Sequence, residues 1–312
     1  KLWQRLKKEV AMNITIQIAN YKRYLKRRNC TAQTVKSYLC RLNPFARWLV
    51  IPFEKVTTAE IKSYIDFLLE ERLEAHSINC HMSSIRRFYD FLIDEEDLQL
   101  RNPVTIGLAL RVPHPLPRYL KDADIDIFLQ SVKKARDKAM FMLMLRCGLR
   151  VDEVAKLTLD AIDYQRSQIL VSCGKGSKDR IVYISDDSAE ALAVYLDVRP
   201  IVKERRIFLV EKGIYRRQPI SVRGIQKRME YYSKKCGIPA SCHRLRHTMA
   251  TQLLNADADL VSIQDILGHS RIKTTQRYSK LSNIKAQRDY FKAMDIVMEK
   301  TSIQSERLGD VV

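Results

Sequence analysis

No stretch of the 312-residue sequence stays apolar for the roughly 18 residues that a membrane-spanning helix needs, and its first residues do not read as a signal peptide. Integral-membrane and exported classes therefore recede. Cysteine is sparse and lacks pattern: Cys30, Cys40, Cys80, Cys147, Cys173, Cys236 and Cys242 form no CxxC pair and no zinc-ligand spacing. Their odd number argues against a disulfide framework, and they are expected to be reduced thiols in a cytoplasmic protein. Cys173 and Cys242 stand beside motifs discussed below, but the sequence arranges no attacking base around either, so both are read as structural. The nine glycines include no G-x-x-x-x-G-K-[ST] run, which removes a P-loop nucleotide site. Internal repeats and low-complexity tracts are also missing.

What the chain does have is positive charge. Fifty-five Lys and Arg against 36 Asp and Glu give a formal charge of +19 and a pI near 9.7, a balance that favours a polyanionic partner. Nucleic acid leads, an anionic membrane surface follows, and a merely solvated basic surface is the plain alternative. With 46% hydrophobic residues, the chain is long enough for two soluble globular domains, each with its own core.

The first hundred residues read as amphipathic helices without a convincing strand. Ile14 to Arg28 forms one, and Thr31 to Leu49 a second that Thr31 caps and Pro44 should kink or divide. Thr57 and Glu60 make a capping box for a third, and a fourth runs from about Ser77 to Leu92 with Arg86 and Arg87 beside an apolar face. Prolines at 113, 115 and 117 bar a helix there, so residues 111–119 are expected to be a linker between domains at 1–110 and 120–312. The second domain mixes types: a helix from about Asp122 to Leu145, another from Arg150, and a hairpin pairing Gln168–Ser172 with Arg180–Ile184. Helices then resume. The last, about 283–300, carries Tyr290, Phe291, Met294, Val297 and Met298 as an apolar stripe that must be buried against its own domain or a neighbouring chain. The expected fold class is mainly α, with a small β-sheet in the C-terminal domain.

Within this frame, Gly174, Lys175 and Gly176 place one lysine on the tight turn of the hairpin. In His243-Arg244-Leu245-Arg246-His247 the two histidines and Arg246 share one helix face. Zinc is disfavoured there, since Arg244 stands where a zincin has Glu and a second arginine lies close by; an anion fits better. Leu267-Gly268-His269-Ser270 follows, and Tyr278 stands nine residues beyond His269.

Arg150 in GLRVDEV, Lys175 in GKG, His243 and Arg246 in HRLRH, His269 in LGHS, and Tyr278 together resemble the tyrosine recombinase family, in particular Xer-type recombinases and transposon or phage integrases. The resemblance covers nearly the whole chain, with TAQTVKSYLCRL and SSIRRFYDFL similar to core-binding helices and residues 120 to 290 similar to the catalytic domain. Only about a dozen residues precede the first such helix, so two domains are expected, without the extra arm-binding domain of many phage integrases.

The resemblance implies a helical core-binding domain that clamps DNA and a mixed α/β catalytic domain that cuts and rejoins it. Tyr278 would attack a phosphodiester to give a 3′-phosphotyrosine and a free 5′-hydroxyl. Arg150 and Arg246 would hold the non-bridging oxygens. His243 and His269 would donate hydrogen bonds to them, with His243 also a candidate base for the tyrosine proton, and Lys175 is the candidate acid for the leaving 5′-oxygen. No carboxylate set with metal-binding spacing appears, so chemistry without metal, cofactor or ATP is expected. The implied partners are double-stranded DNA recombination sites and copies of the chain itself, a dimer on each site and a tetramer in synapsis, with no membrane and no small-molecule substrate. The 283–300 helix would dock on a neighbouring subunit. Two rivals remain: a type IB topoisomerase, which shares the chemistry but relaxes supercoils, and a DNA-binding module without catalysis.

Overall fold

Side-chain caps set where two of the early helices begin. In the computed structural model, which describes residues 2–96, 99–113, 118–172, 179–268 and 290–294 and side chains from residue 13 onward, the chain divides into two compact units, Lys1–His114 and Pro115–Val312. The first unit holds α1 (Leu2–Arg27), α2 (Ala32–Trp48), α3 (Thr58–Glu70) and α4 (Ala75–Asp94). Thr31 caps α2 by accepting the Thr34 N–H at 3.2 Å. Thr57 caps α3, and the Glu60 carboxylate answers by accepting the Thr57 N–H at 2.8 Å, as the capping box predicts.

Two helices differ from expectation. α1 begins at Leu2 rather than Ile14, because residues 2–13 contain neither Pro nor Gly to stop it. α2 runs through Pro44 undivided. The carbonyl deprived of its bond by the proline belongs to Cys40, an exposed residue, and at a solvent-facing position such a loss is tolerated far better than in a core.

The core of this unit is aromatic. Phe53 meets Phe88 edge-on at 4.7 Å between centroids, and Phe45 meets Tyr64 at 4.9 Å. Tyr89 is buried, and its hydroxyl donates to the Phe53 carbonyl at 3.1 Å. Asn79 on α4 holds the Leu110 backbone at both its N–H and its carbonyl, each at 2.8 Å, which ties the end of the unit back to its core.

The second unit contains α5 (Asp122–Ser131), α6 (Ala135–Arg146), α7 (Val151–Lys156), β1 (Ile162–Asp163), β2 (Gln168–Val171), β3 (Arg180–Tyr183), α8 (Asp186–Val198), α9 (Val222–Cys236), α10 (Cys242–Asn255) and α11 (Leu260–Leu267). The single helix expected over 122–145 is two. Val132 and Lys134 take extended conformations, Lys134 pairs with Glu211 at 2.6 Å, and Arg136 binds the Leu209 carbonyl, so contacts far along the chain pull the backbone out of the helix. Ala139 to Leu145 on α6 are buried on every side, as befits a central helix, and α8 and α10 pack against it.

The hairpin forms with Ile169 opposite Val182 and Val171 opposite Arg180, and β1 adds a third antiparallel strand through Ile162 and Ile169. Residues 290–294 are helical, with Tyr290 and Phe291 exposed; the remainder of the 283–300 segment lies outside the described residues. Pro115 and Pro117 of the 111–119 stretch also lie outside them. Among the described residues, no helix is long and apolar enough to cross a membrane.

Candidate functional site

The turn from α6 into α7 is built on Gly148, whose φ of +65° suits glycine and whose missing side chain leaves room for Leu267 and Met249. Two residues on, Arg150 is the N-cap of α7 in extended conformation. Glu153, in the first turn of that helix, accepts the Arg150 backbone N–H at 2.6 Å and its Nη1 at 2.9 Å. One carboxylate thus caps the helix and steers the arginine that precedes it.

A second arginine comes from the sheet. Arg180 opens β3 in phase with the buried Val182, so its side chain turns inward and is only 8% exposed. Its Nη1 and Nη2 donate to the two oxygens of Glu153, each at 2.8 Å, in the fork-to-fork geometry that makes Arg–carboxylate pairs strong. Its Nε donates to the Ile266 carbonyl at 2.8 Å, near the end of α11.

The third arginine sits on α10, which Ser241 caps by accepting the Arg244 N–H at 3.1 Å. The Arg246 side chain is 3% exposed, 4.0 Å from Glu153, and donates to the carbonyls of Gly148 and Leu267. Arg150 donates to the very next carbonyl, that of Gly268, at 3.1 Å. The two guanidiniums therefore grip consecutive residues of one turn, where Gly268 closes α11 in the left-handed region at φ +60°. His243 lies one turn before Arg246 on α10, its ring 4.0 Å from that of His247.

Burial raises the Glu153 pKa, but the hydrogen bonds from Arg180 and the Arg150 N–H, together with both charges, outweigh it and bring the carboxyl down to about 2. It is an anion throughout the working range. Among the described residues, three arginines gather around this one buried carboxylate, and the Arg150 side chain stays 36% exposed. A guanidinium left open to solvent beside such a cluster suits a phosphate. The nearby cysteines do not compete as nucleophiles: burial pushes Cys242 up to about 11 and Cys147 up to about 12, so both remain thiols.

Of the six residues singled out in the sequence, the structure brings Arg150 and Arg246 to one turn and sets His243 on the same helix as Arg246. Lys175, His269 and Tyr278 lie outside the described residues. Two members of the cluster escaped the sequence reading, Glu153 and Arg180. The signals were present: a glutamate three residues after an N-cap position, and an arginine alternating in phase with Val182 while Ile181 and Tyr183 take the outer face.

Comparison with known proteins finds matches along most of the chain. Residues 118–284 match the profile of the phage integrase family, and residues 18–96 match that of the phage integrase N-terminal SAM-like domain. Tyrosine recombinase XerC of Lacticaseibacillus casei (strain BL23) is 31% identical over 295 residues, covering 88% of this chain and 97% of that one. Tyrosine recombinase XerA of Thermococcus kodakarensis is 29% identical over 268 residues, covering 85% and 90%. Among solved structures, the Tn1549 transposon integrase in complex with transposon right end DNA shares the fold with a TM-score of 0.75 at 19% identity, over 91% of this chain and 99% of that one.

Proposed function

The chain belongs to the phage integrase family of tyrosine recombinases, and we propose that it recombines DNA at specific sites with Tyr278 as nucleophile and Arg150, Lys175, His243, Arg246 and His269 as its assistants. Cutting and rejoining DNA is the activity its relatives are named for. The observation that carries the assignment of residues is the pair of guanidiniums, Arg150 and Arg246, drawn from distant parts of the chain onto the Leu267–Gly268 turn just before His269.

In this reading the Tyr278 oxygen attacks the scissile phosphorus, the bond from phosphorus to the 5′-oxygen breaks, and the phosphate stays on the protein as a 3′-phosphotyrosine. The two arginines, with hydrogen bonds from His243 and His269, hold the charge that grows on the non-bridging oxygens. His243 accepts the tyrosine proton and Lys175 delivers one to the departing 5′-oxygen. A phosphotyrosine conserves the energy of the broken ester, so the 5′-hydroxyl of a second duplex reverses the attack without ATP. A type IB topoisomerase is not favoured, because the relatives are recombinases and no partner exchange would follow from relaxation alone.

Exchange between two duplexes requires more than one active site. The exposed Tyr290 and Phe291 support a dimer on each site and a tetramer in synapsis, with the terminal helix of one protomer covered by the next. Such a recombinase works where the DNA is, in the cytoplasm.

Nicked suicide duplexes drawn from the DNA flanking the gene test the proposal. The wild-type chain should become covalently attached to one defined sequence, and Tyr278→Phe should not. An adduct formed by Tyr278→Phe would sink the assignment.

A further inference from the structure

We propose that Arg180 is a positioning residue for strand cleavage, the side chain that ties the hairpin, the Arg150 turn and the segment leading into His269 into one rigid unit. The inference rests on the roles proposed above for Arg150, Lys175 and His269. Arg180 stands five residues after Lys175 in the chain, opens the second strand of the hairpin, and is fixed there by the pairing of Val171 with Arg180.

Its guanidinium reaches two other segments. Both η nitrogens bind Glu153, whose Oε1 in turn accepts from Arg150 Nη1, so hairpin and Arg150 share one carboxylate. The Nε donates to the Ile266 carbonyl, three residues before His269. Gly268 makes the close approach possible: a Cβ there would stand 2.9 Å from Arg180 Cδ and 3.2 Å from its Nε. Its φ of +60° likewise suits glycine. Arg180 thus packs against the end of α11, its side chain 8% exposed, beside a turn whose carbonyls Arg246 and Arg150 hold.

Packing alone does not call for an arginine here. A leucine in phase with Val182 fills an inward strand position without the desolvation cost of a buried ion pair. The guanidinium adds geometry: a planar fork to Glu153 and a third donor, in the same plane, to a different chain segment. A point charge on a flexible stem reproduces the charge and neither direction. With these donors committed to protein atoms, Arg180 acts through its neighbours and not on the phosphate.

The test uses the full chain and the duplex that the wild-type protein itself selects from a random pool by covalent trapping. Arg180→Gln and Arg180→Lys are compared with wild type in thermal melting, in binding to that duplex, and in single-turnover cleavage of it. Cleavage is also measured on a counterpart with sulfur at the bridging 5′ position, whose thiolate leaves without a proton. Arg180→Gln should bind within about 3-fold of wild type yet cleave about 100-fold more slowly, as a displaced catalytic constellation does. The defect should shrink on the sulfur duplex, because part of it is the loss of the correctly placed acid, and Arg180→Lys should recover only part of the rate. Cleavage by Arg180→Gln at the wild-type rate, or a rate loss that merely tracks lost binding or lost folded protein, would overturn the proposal. If Arg180→Gln does not fold, Arg180→Lys decides: slowed cleavage with intact binding supports the role and wild-type cleavage removes it. Failure of the wild-type chain to form any adduct strikes at the proposed function and takes this inference with it, whereas equal adducts from wild type and variant strike at Arg180 alone.

Discussion

Asp137 and Glu153 are both carboxylates buried among arginines in the second unit, yet they leave those arginines in different states. Asp137, 0% exposed, accepts from Arg136 Nε at 3.0 Å and Nη2 at 2.7 Å and from Arg228 Nε at 2.7 Å. Arg136 spends its remaining fork on the Leu209 carbonyl, and Arg228 lies over the rings of Tyr231 and Tyr232. Glu211 adds a second carboxylate, paired with Lys134 and 3.6 Å from Arg136. Three cations thus meet two anions, and the cluster closes on itself. At Glu153, among the described residues, one carboxylate is shared by three arginines, and Arg150 keeps a third of its side chain at the surface. The same chemical pair closes a core in one place and borders the proposed phosphate site in the other, where Arg150 is left partly open to solvent.

Removing the carboxylate from the closed cluster gives the largest effect. Asp137→Asn takes from Arg136 its fully buried partner and leaves it only the more distant Glu211, and it should cost about 3–5 kcal/mol of stability in chemical denaturation. The cleavage rate of the molecules that remain folded should not change; a selective loss of rate would mean that this cluster also serves the site.

Arg150→Ala makes the opposite case. Its side chain is 36% exposed and its backbone cap to Glu153 survives, so the melting temperature should hardly move. Single-turnover cleavage should fall about 100-fold to 1000-fold, the range for removing one donor that stabilises a transition-state oxyanion. A large drop in stability with little change in rate would assign Arg150 to the fold.

The smallest of the three effects is titration of Glu153. Its folded carboxyl sits at about 2 against an ordinary 4.5, so the stability it contributes is fully present above about pH 4.5 and is lost as pH falls towards 2. The gap in unfolding free energy between wild type and Glu153→Gln should therefore be widest near neutrality and should shrink by about 3 kcal/mol at most on descending through that window. A gap that stays constant with pH would show that the carboxylate's charge is not what holds the arginines.

Several features of this architecture are local and were readable from residue types alone. The Thr57–Glu60 box, the helix carrying His243 and Arg246 on one face, the strands flanking the Lys175 turn and the mainly helical fold class follow from contacts between residues a few positions apart, and such contacts form in much the same way whatever surrounds them. Arg150, His243 and Arg246 could be singled out because their motifs stand at readable spacings. Glu153 and Arg180 could not be ranked the same way, since each looks like an ordinary charged residue until its partner is known.

The tertiary structure decided what depends on partners distant in the chain. It broke the 122–145 helix where Arg136 and Lys134 reach Leu209 and Glu211, carried α2 past Pro44 where Cys40, whose carbonyl loses its donor, is an exposed residue, and added β1 to the hairpin. It also turned Arg180 inward onto a glutamate 27 positions away and brought Arg246 to a carbonyl 98 positions away. Such pairs are selected by which side chains the packed core leaves facing one another, so the residue types were written in the sequence and their meeting was settled only by the fold.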